Sequence, residues 1–372
     1  MSLLRARVAP YALPLAGPWP SGEGAVTERV GWILALEDTE GRVGLGDAAP
    51  FPGFGLETAA SAGLALRGAL GRLAGLDAGD FPIALERLPQ LAPVAAAPTA
   101  RHAIDLALHD LLAQRAGVPL ARLLGGGDAL AEVPANVVIP RVAPARAAAL
   151  AREAVARGAA TLKVKVGGAP LADDLARLRA LREAAGPEVR LRVDANQAWT
   201  ADEAIGALRA LAGFDLEFAE QPVAAEAVED LARVRRECGV PVAADEAVRD
   251  PASARRVLDA GAADVLILKP MALGGLRVAR GIAEIALGRG VRVVVTSLLE
   301  SAVGRAGALH LAASLGPSPH AHGVAGGDAL ARDLAASPPF ERGAVRVPAE
   351  AGLGIGPLDP SLWKDAVAME AE

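Results

Sequence analysis

Residues 161–222 read TLKVKVGGAPLADDLARLRALREAAGPEVRLRVDANQAWTADEAIGALRALAGFDLEFAEQP. Three short runs rich in Val, Leu and Phe alternate here with two longer runs rich in Ala, Leu and Arg. Short apolar runs are typical of buried parallel strands, and the longer runs have the apolar spacing of amphipathic helices. The stretch therefore predicts consecutive strand–helix units of a parallel sheet.

The same alternation extends on both sides, from about residue 133 to residue 323. The polar residues that end consecutive strands, from Lys165 to Thr296, recur every 24 to 29 residues. This period predicts a (β/α) barrel of about 250 residues. A doubly wound sheet would share the period, but the first strand–helix turn lacks a glycine-rich phosphate motif. The predicted strands are 135–139, 162–166, 189–194, 216–220, 240–245, 265–269 and 291–296, and the predicted helices include 143–157, 171–184, 201–211 and 276–287.

Two further regions flank the barrel. Strand patterns at 28–37 and 42–47, joined by a turn, precede a helical region at 56–116. We therefore predict an α+β domain at residues 1–130, a barrel with the catalytic site at 131–325, and a loop-rich, proline-containing segment at 326–372 that returns to the first domain.

The composition of the chain argues against several classes of partner and location. The 372 residues carry a net charge of −6 without a basic run, which argues against nucleic acid or an anionic membrane as a partner and favours a small-molecule substrate. One cysteine, Cys238, cannot form an internal disulfide. No apolar run approaches the ~18 residues of a membrane span, and Arg5 and Arg7 interrupt any signal-peptide core. We expect a cytoplasmic protein.

Charged residues lie at the carboxyl ends of the predicted strands, where the side chains of a barrel meet over its mouth. A single one could simply face water, but six in register indicate a site. They are Lys163, Lys165, Asp194, Glu220, Asp245 and Lys269.

The three carboxylates, Asp194, Glu220 and Asp245, offer hard oxygen ligands that suit Mg²⁺, with Mn²⁺ as a substitute. Lys165 and Lys269 flank them in strand order, so one amine should approach from each side. That arrangement suits removal of a proton α to a carboxylate. Lys163 lies on the same strand face as Lys165, and its charge should favour the neutral, basic form of that lysine.

Other polar residues have less definite roles. Asn196 and Glu246 either orient the metal ligands or serve as a turn residue and a helix-start carboxylate. The histidines do not form a ligand set: helix packing is predicted for His102, His109 and His310, and no role is assigned to His320 or His322. The segment around Ser297 and Ser301 lacks a nucleophile elbow, which argues against a serine hydrolase.

The segment FPGFGLE at 51–57 combines turn-permitting glycines with two aromatic rings. Phe51, Gly53 and Phe54 are therefore predicted to form an apolar lid over the barrel mouth, and an ordinary surface turn is the alternative.

Five motifs follow one another at the strand ends: K-x-K at Lys163 and Lys165, D-x-N at Asp194 and Asn196, E-Q-P at 220–222, D-E at Asp245 and Glu246, and K-P at 269–270. Together they resemble the enolase superfamily, specifically its muconate-lactonising subgroup. The resemblance extends over essentially the whole chain. It implies an α/β fold with a modified (β/α)₇β TIM-type barrel and an α+β capping domain. It also implies that Lys165 removes the α-proton and then assists departure of hydroxide, while Lys269 stays protonated and stabilises an enediolate.

Within that subgroup, residues 44–58, 296–304 and 320–324 are similar to the o-succinylbenzoate synthase family, although Asp47 stands where a glutamate is usual. This similarity implies dehydration of 2-succinyl-6-hydroxy-2,4-cyclohexadiene-1-carboxylate in menaquinone biosynthesis. It also implies substrate contacts from residues that follow the last strand. These are Thr296, Ser297, Glu300 and Ser301.

Alternatives remain within the same subgroup. The segment LLESAVGRA is also similar to N-succinylamino acid racemases, and other racemases, epimerases or cycloisomerases share the catalytic set. Dipeptide epimerases usually carry an aspartate pair near the last strand, which TSLLES at 296–301 lacks. A catalytically inactive barrel is disfavoured because nothing structural requires two lysines facing three carboxylates. Oligomeric state is not predicted.

Overall fold

The computed structural model describes residues 2–21, 24–51, 54–55 and 57–371. Its strands are β1 Leu3–Ser21, β2 Gly24–Asp38, β3 Val43–Ala48, β4 Glu132–Pro134, β5 Val137–Ile139, β6 Thr161–Lys165, β7 Arg190–Asp194, β8 Leu216–Glu220, β9 Val242–Ala244, β10 Val265–Leu268, β11 Arg292–Val295, β12 Phe340–Glu341, β13 Ala344–Arg346 and β14 Val367–Glu370. Its helices are α1 Ala59–Leu73, α2 Phe81–Arg87, α3 Pro98–Ala116, α4 Leu120–Gly125, α5 Pro144–Ala156, α6 Leu171–Ala185, α7 Ala201–Leu211, α8 Val228–Glu237, α9 Pro251–Asp259, α10 Pro270–Leu273, α11 Leu276–Gly288 and α12 Ala302–Ser314.

The N-terminal region forms an antiparallel sheet of order β14-β1-β2-β3, against which α1 and α3 pack. Leu and Ala side chains of β1, β2, α1 and α3 bury one continuous apolar core between sheet and helices. Glycines on β3 allow the closest approach: a Cβ at Gly46 would lie 1.8 Å from the carbonyl oxygen of Ala103 on α3. The G-x-G spacing of β3 therefore fixes the distance between this helix and the sheet.

The strand β1 was not predicted, because four prolines interrupt its sequence. Proline lacks an N–H donor and is tolerated where a strand has a free edge. On one side β1 pairs with β2 along most of its length, but on the other side β14 pairs only with residues Arg5 to Val8. Pro10 and Pro14 lie beyond that paired part, where one edge of β1 needs no ladder donors.

The central region is a curled parallel sheet of order β11-β10-β9-β8-β7-β6-β5 in the described part of the chain. The segment at 321–323 closes it through two parallel bridges, Ala135 to His322 and Thr296 to Gly323. Helices cover the outside, and a small apolar group that includes Phe218 and Ile267 fills the interior. The predicted α/β barrel with an α+β cap is confirmed, with the last strand reduced to these bridges.

The residues after 326 contact two regions. Strands β12 and β13 form a small sheet with β4, and β14 joins the edge of the N-terminal sheet, where Glu370 pairs with Arg5. No helix in the described part of the chain is long and apolar enough to cross a membrane.

Candidate active site

The parallel register brings the predicted charges to one end of the barrel. Lys165 on β6 lies opposite Asp194 on β7, and Asp194 lies opposite Glu220 on β8. Asp245 and Lys269 directly follow β9 and β10. We call this group, together with Lys163 and Glu246, the mouth cluster.

Lys163 contacts two carboxylates. Its Nζ lies 2.9 Å from Oδ2 of Asp194 and 2.7 Å from Oε1 of Glu220. Burial opposes the charge on Lys163, but the nearby carboxylates more than offset burial and raise the pKa of its ammonium group. Lys163 is therefore a fixed cation that holds Asp194 and Glu220 together.

Lys165 lies closer to solvent, at the open side of the cluster. Its Nζ is 2.6 Å from Oδ2 of Asp194 and 2.6 Å from Oδ1 of Asn196. Asn196 has a left-handed backbone (φ 43°) and donates through Nδ2 to Oε1 of Glu246, at 3.1 Å. Asn196 thus links the amine of Lys165 to Glu246 across the cluster.

Lys269 lies on the far side of the carboxylates, where its ammonium group contacts Oδ1 of Asp245. The ring of Phe54 covers the same group, with 4.6 Å between Nζ and the ring centroid. A cation over an aromatic face is stabilised by the ring quadrupole. The N-terminal region therefore reaches this lysine directly.

The carboxylates of the mouth cluster differ in their electrostatics. For Asp194, two lysine ammonium groups outweigh the effect of burial and hold the pKa well below its usual range. Burial, followed by the charge of Asp194, raises the pKa of Glu220 to about 7. Burial also raises the pKa of Asp245 and of Glu246. Four carboxylates face three lysines in this cluster, so ionising every carboxylate at once is electrostatically unfavourable.

Two observations bear on a metal ion. The cluster supplies carboxylate oxygens, the ligands that Mg²⁺ prefers, and Oε2 of Glu246 is buried without a hydrogen-bond partner. Among the described residues, however, no three such side chains already surround a common point. Lysine ammonium groups contact the oxygens instead. In its chemistry, the carboxylate set is of the kind that holds a divalent cation.

Gln221, the middle residue of the E-Q-P motif, positions the next strand end. Its Oε1 accepts the backbone N–H groups of Asp245 (2.9 Å) and Ala247 (3.1 Å), and its Nε2 donates to the carbonyl of Val223 at 2.9 Å. Gln221 is fully buried and has φ 38°. The E-Q-P motif carries this signal, because a buried amide after a ligand can bind the neighbouring turn.

A cavity of about 650 Å³ opens above the mouth cluster. This volume is within the usual range for small-molecule sites. Aromatic side chains from the N-terminal region cover it. They are Trp19, Phe51 and Phe54. The third predicted lid residue, Gly53, lies outside the described residues.

The four predicted substrate-contact residues after β11 form two pairs, of which one lines the cavity and the other does not. Thr296 and Ser297 line the cavity. Glu300 and Ser301 do not: both are buried, and Ser301 caps α12 by accepting the N–H of Val303. Because α12 begins at Ala302, the chain has already turned into the protein at these two positions. The contacts of Glu300 and Ser301 in this structure are internal, and their contact with a substrate stays a prediction.

Those internal contacts join the N-terminal region to the barrel. Asp47 accepts hydrogen bonds from Tyr11 Oη (2.8 Å) and Ser301 Oγ (2.7 Å). Arg29 donates to three carbonyl groups, those of Ala49, Pro50 and Leu299. We call Tyr11, Arg29, Asp47, Glu300 and Ser301 the joint cluster. It fixes the base of the loop that carries Phe51 and Phe54.

The histidines lie in packing roles. His322 accepts the N–H of Val295 through Nδ1 at 2.9 Å, within the segment that closes the barrel, and burial lowers its pKa to about 3. His320 lies 2.8 Å from Oε1 of Glu217 and packs edge-on against Phe218. His102, His109 and His310 are buried on α3 and α12.

Arg141 also lines the cavity and was missed. It follows β5 and precedes Lys165 by 24 residues, within the period that relates the other strand ends. Extending that period one step toward the N-terminus would have identified it.

Family models cover most of the chain. The model described as "Enolase C-terminal domain-like" matches residues 146–360, more than half of the sequence. The model described as "Mandelate racemase / muconate lactonizing enzyme, N-terminal domain" matches residues 5–125. The chain therefore belongs to the mandelate racemase/muconate-lactonizing enzyme family of the enolase superfamily, in its muconate-lactonising subgroup, and is an enzyme of that group. This confirms the resemblance seen in the sequence.

Individual relatives have different activities. The o-succinylbenzoate synthase of Thermobifida fusca is 41% identical over 63% of this chain and 74% of its own length. The L-Ala-D/L-Glu epimerase of Clostridium acetobutylicum is 35% identical over 82% of this chain and 84% of its own. The crystal structure of a dipeptide epimerase from Enterococcus faecalis, complexed with Mg and L-Leu-L-Tyr, superposes with a TM-score of 0.88 at 30% identity. That match covers 96% of this chain and 100% of the epimerase.

Proposed function

We propose that the chain is a Mg²⁺-dependent dehydratase of the o-succinylbenzoate synthase type, acting in menaquinone biosynthesis. Its substrate would be 2-succinyl-6-hydroxy-2,4-cyclohexadiene-1-carboxylate. The observation that carries this proposal is the pair of lysines, Lys165 and Lys269, on opposite sides of the mouth carboxylates. Amines in these positions suit proton removal α to a substrate carboxylate.

Asp194, Glu220 and Asp245 would hold the Mg²⁺, and Mn²⁺ would substitute for it. The burial and crowding of four carboxylates, which raise the pKa of Glu220, and the unpartnered oxygen of Glu246 support this assignment. The E. faecalis epimerase, similar over nearly the whole chain, is complexed with Mg. When bound, the cation would supply Lewis-acid stabilisation of the negative charge that develops on the substrate carboxylate.

The protein groups would carry the proton. Neutral Lys165 removes the α-proton, and the electron pair moves into the substrate carboxylate. The Lys165 ammonium group then gives that proton to the departing hydroxyl on the same face. Water leaves, and the ring becomes aromatic. Lys269 keeps its proton and stabilises the developing charge, while Lys163 holds Asp194 and Glu220 in place.

Dehydration is favoured over dipeptide epimerisation for a structural reason. A free dipeptide carries an N-terminal ammonium group that needs a carboxylate partner in the cavity. Glu300, the acidic residue after β11, is buried away from the cavity. Asp328 lines the cavity but lies 2.8 Å from Arg157 Nη1. The higher identity to an o-succinylbenzoate synthase agrees with this choice.

Racemisation of an N-succinyl amino acid is the second candidate. The observation that favours it is that both Lys165 and Lys269 reach the cavity, so each could exchange a proton on its own face of the substrate. The ring of Phe54 covers Lys269 but not Lys165, and this cover disfavours Lys269 as a freely exchanging base.

The decisive experiment is a spectrophotometric dehydration assay with purified protein and Mg²⁺, run beside a racemisation assay on N-succinyl amino acids. We expect dehydration of the cyclohexadiene substrate. In D₂O, deuterium incorporation on both faces of an N-succinyl amino acid, without any dehydration, would replace the synthase proposal with the racemase.

A further inference from the structure

The charged side chains that line the cavity differ in whether they have an ion-pair partner. Five cationic and four anionic side chains line it. Four of the cations contact carboxylates: the three lysines contact those of the mouth cluster, and Arg157 contacts Asp328. Arg141 is the exception, because no carboxylate among the described residues lies within ion-pair distance of it. Its guanidinium group is therefore available to a ligand.

The position of Arg141 is nevertheless defined. Its Nη2 lies 3.4 Å from the carbonyl oxygen of Val166, directly after β6. A Cβ at Gly168 would lie 3.1 Å from Nη1, so the guanidinium group packs across the glycine turn that follows β6. Lys165 ends that same strand. Arg141 thus lies at the mouth on the Lys165 side of the cavity.

We propose that Arg141 binds a second, distal carboxylate of the substrate and so selects ligands whose acyl chain ends in a carboxylate. The proposal rests on the proposed function and extends it. One substrate carboxylate would lie at the reacting carbon beside the mouth cluster, and the other would meet Arg141. A planar guanidinium group pairs with a carboxylate through two parallel hydrogen bonds.

The same contact would let the protein discriminate between ligands by the group at the end of the acyl chain. A methyl group in place of the distal carboxylate would leave Arg141 without its partner, and an ammonium group would be repelled by it. Both substrates considered above, the cyclohexadiene dicarboxylate and an N-succinyl amino acid, carry the succinyl carboxylate. The role of Arg141 is therefore independent of which reaction follows.

A matched pair of ligands tests this contact. o-Succinylbenzoate and 2-butyrylbenzoate differ in that the second has a methyl group where the first has its distal carboxylate. Calorimetric titration in the presence of Mg²⁺ would compare the wild type with Arg141→Gln. Arg146→Gln is the control variant, because Arg146 is exposed on α5, pairs with Glu153 and does not line the cavity.

We expect Arg141→Gln to weaken o-succinylbenzoate binding roughly tenfold, as for loss of one charge-assisted contact, and to leave 2-butyrylbenzoate binding unchanged. In turnover the same variant should raise KM and largely retain kcat, because the contact is remote from the reacting atoms. Equal effects on both ligands, or the same effect from Arg146→Gln, would overturn the role of Arg141. Absence of binding and turnover in the wild type would instead refute the proposed function.

Discussion

The mouth cluster and the joint cluster both bury charge, but they differ in whether that charge is satisfied. In the joint cluster, Asp47 accepts hydrogen bonds from Tyr11 and Ser301, and Arg29 donates to three carbonyl groups. In the mouth cluster, carboxylates outnumber the lysines, and one oxygen of Glu246 has no partner. A largely satisfied cluster stabilises a joint between two parts of the protein, whereas a cluster with unpaired groups is prepared for a ligand.

The substitution with the largest expected effect tests whether the mouth cluster requires a cation. Asp194→Asn removes one charge from the proposed Mg²⁺ ligands, and we expect turnover to fall on the order of 10³-fold or more. Excess chelator should abolish turnover in the wild type. Mg²⁺ affinity, measured by calorimetry, should fall with the same substitution.

Asp202→Asn is a suitable control for that experiment, because Asp202 lies on α7 and pairs with Arg233 at the surface. It should retain both affinity and turnover. Full activity in excess chelator would show that the mouth cluster works without a cation and would remove the distinction between the two clusters.

The next effect separates the two lysines of the mouth cluster. Lys165→Ala should eliminate turnover, because this side chain both removes and returns the proton. Lys269→Arg keeps a positive charge that cannot act as a base, so a measurable fraction of dehydration should remain. If the two variants lose kcat equally, Lys269 acts as a base and the racemase mechanism is favoured.

The sequence predicts the mouth cluster better than the joint cluster for a physical reason. Each mouth residue ends one unit of a repeating strand–helix pattern, so a single period locates Lys165, Asp194 and Lys269 without knowledge of their contacts. Asp47 and Ser301 are 254 residues apart and belong to different regions, and no local pattern relates them.

The same reason explains what the sequence alone does not show. Local sequence places Glu300 near a strand end, but it does not reveal that the chain has turned inward there. The prolines of β1 conceal a strand whose free edge depends on where β14 ends. Arg141 was within the period of the barrel, and its identification needed only that the period be extended.

The proposed lid residue Phe54 lies between the two clusters, and the effect expected from replacing it is smaller. Phe54 covers Lys269, while Arg29 fixes the backbone of Ala49 and Pro50 at the base of the same loop. Phe54→Ala should raise KM and lower kcat together, each by roughly tenfold or less, because closure and the contact with Lys269 are both weakened. Leu64→Ala, on an exposed face of α1, is the control. Unchanged kinetic constants in Phe54→Ala would show that the lid is only a surface turn.

The smallest expected effect concerns stability, and it tests the one poorly satisfied charge of the joint cluster. Burial raises the pKa of Glu300 to about 7. The folded protein then binds this proton more tightly than the unfolded chain, whose glutamate has a pKa of about 4.3. The contribution of Glu300 to stability is therefore fully present below about pH 4.3 and is lost as the pH rises through about 7.

Glu300→Gln should remove that dependence, because glutamine stays neutral and retains an oxygen that can accept the N–H of Leu298. Between pH 5 and pH 8, the free energy of unfolding of the variant should rise relative to the wild type, by on the order of 1–3 kcal/mol. Urea unfolding at several pH values would measure this difference, with Glu229→Gln on the surface of α8 as the control. Parallel curves for Glu300→Gln and the wild type would mean that Glu300 ionises without cost. The joint cluster would then hold a balanced charge at that position too, and its contrast with the mouth cluster would be complete.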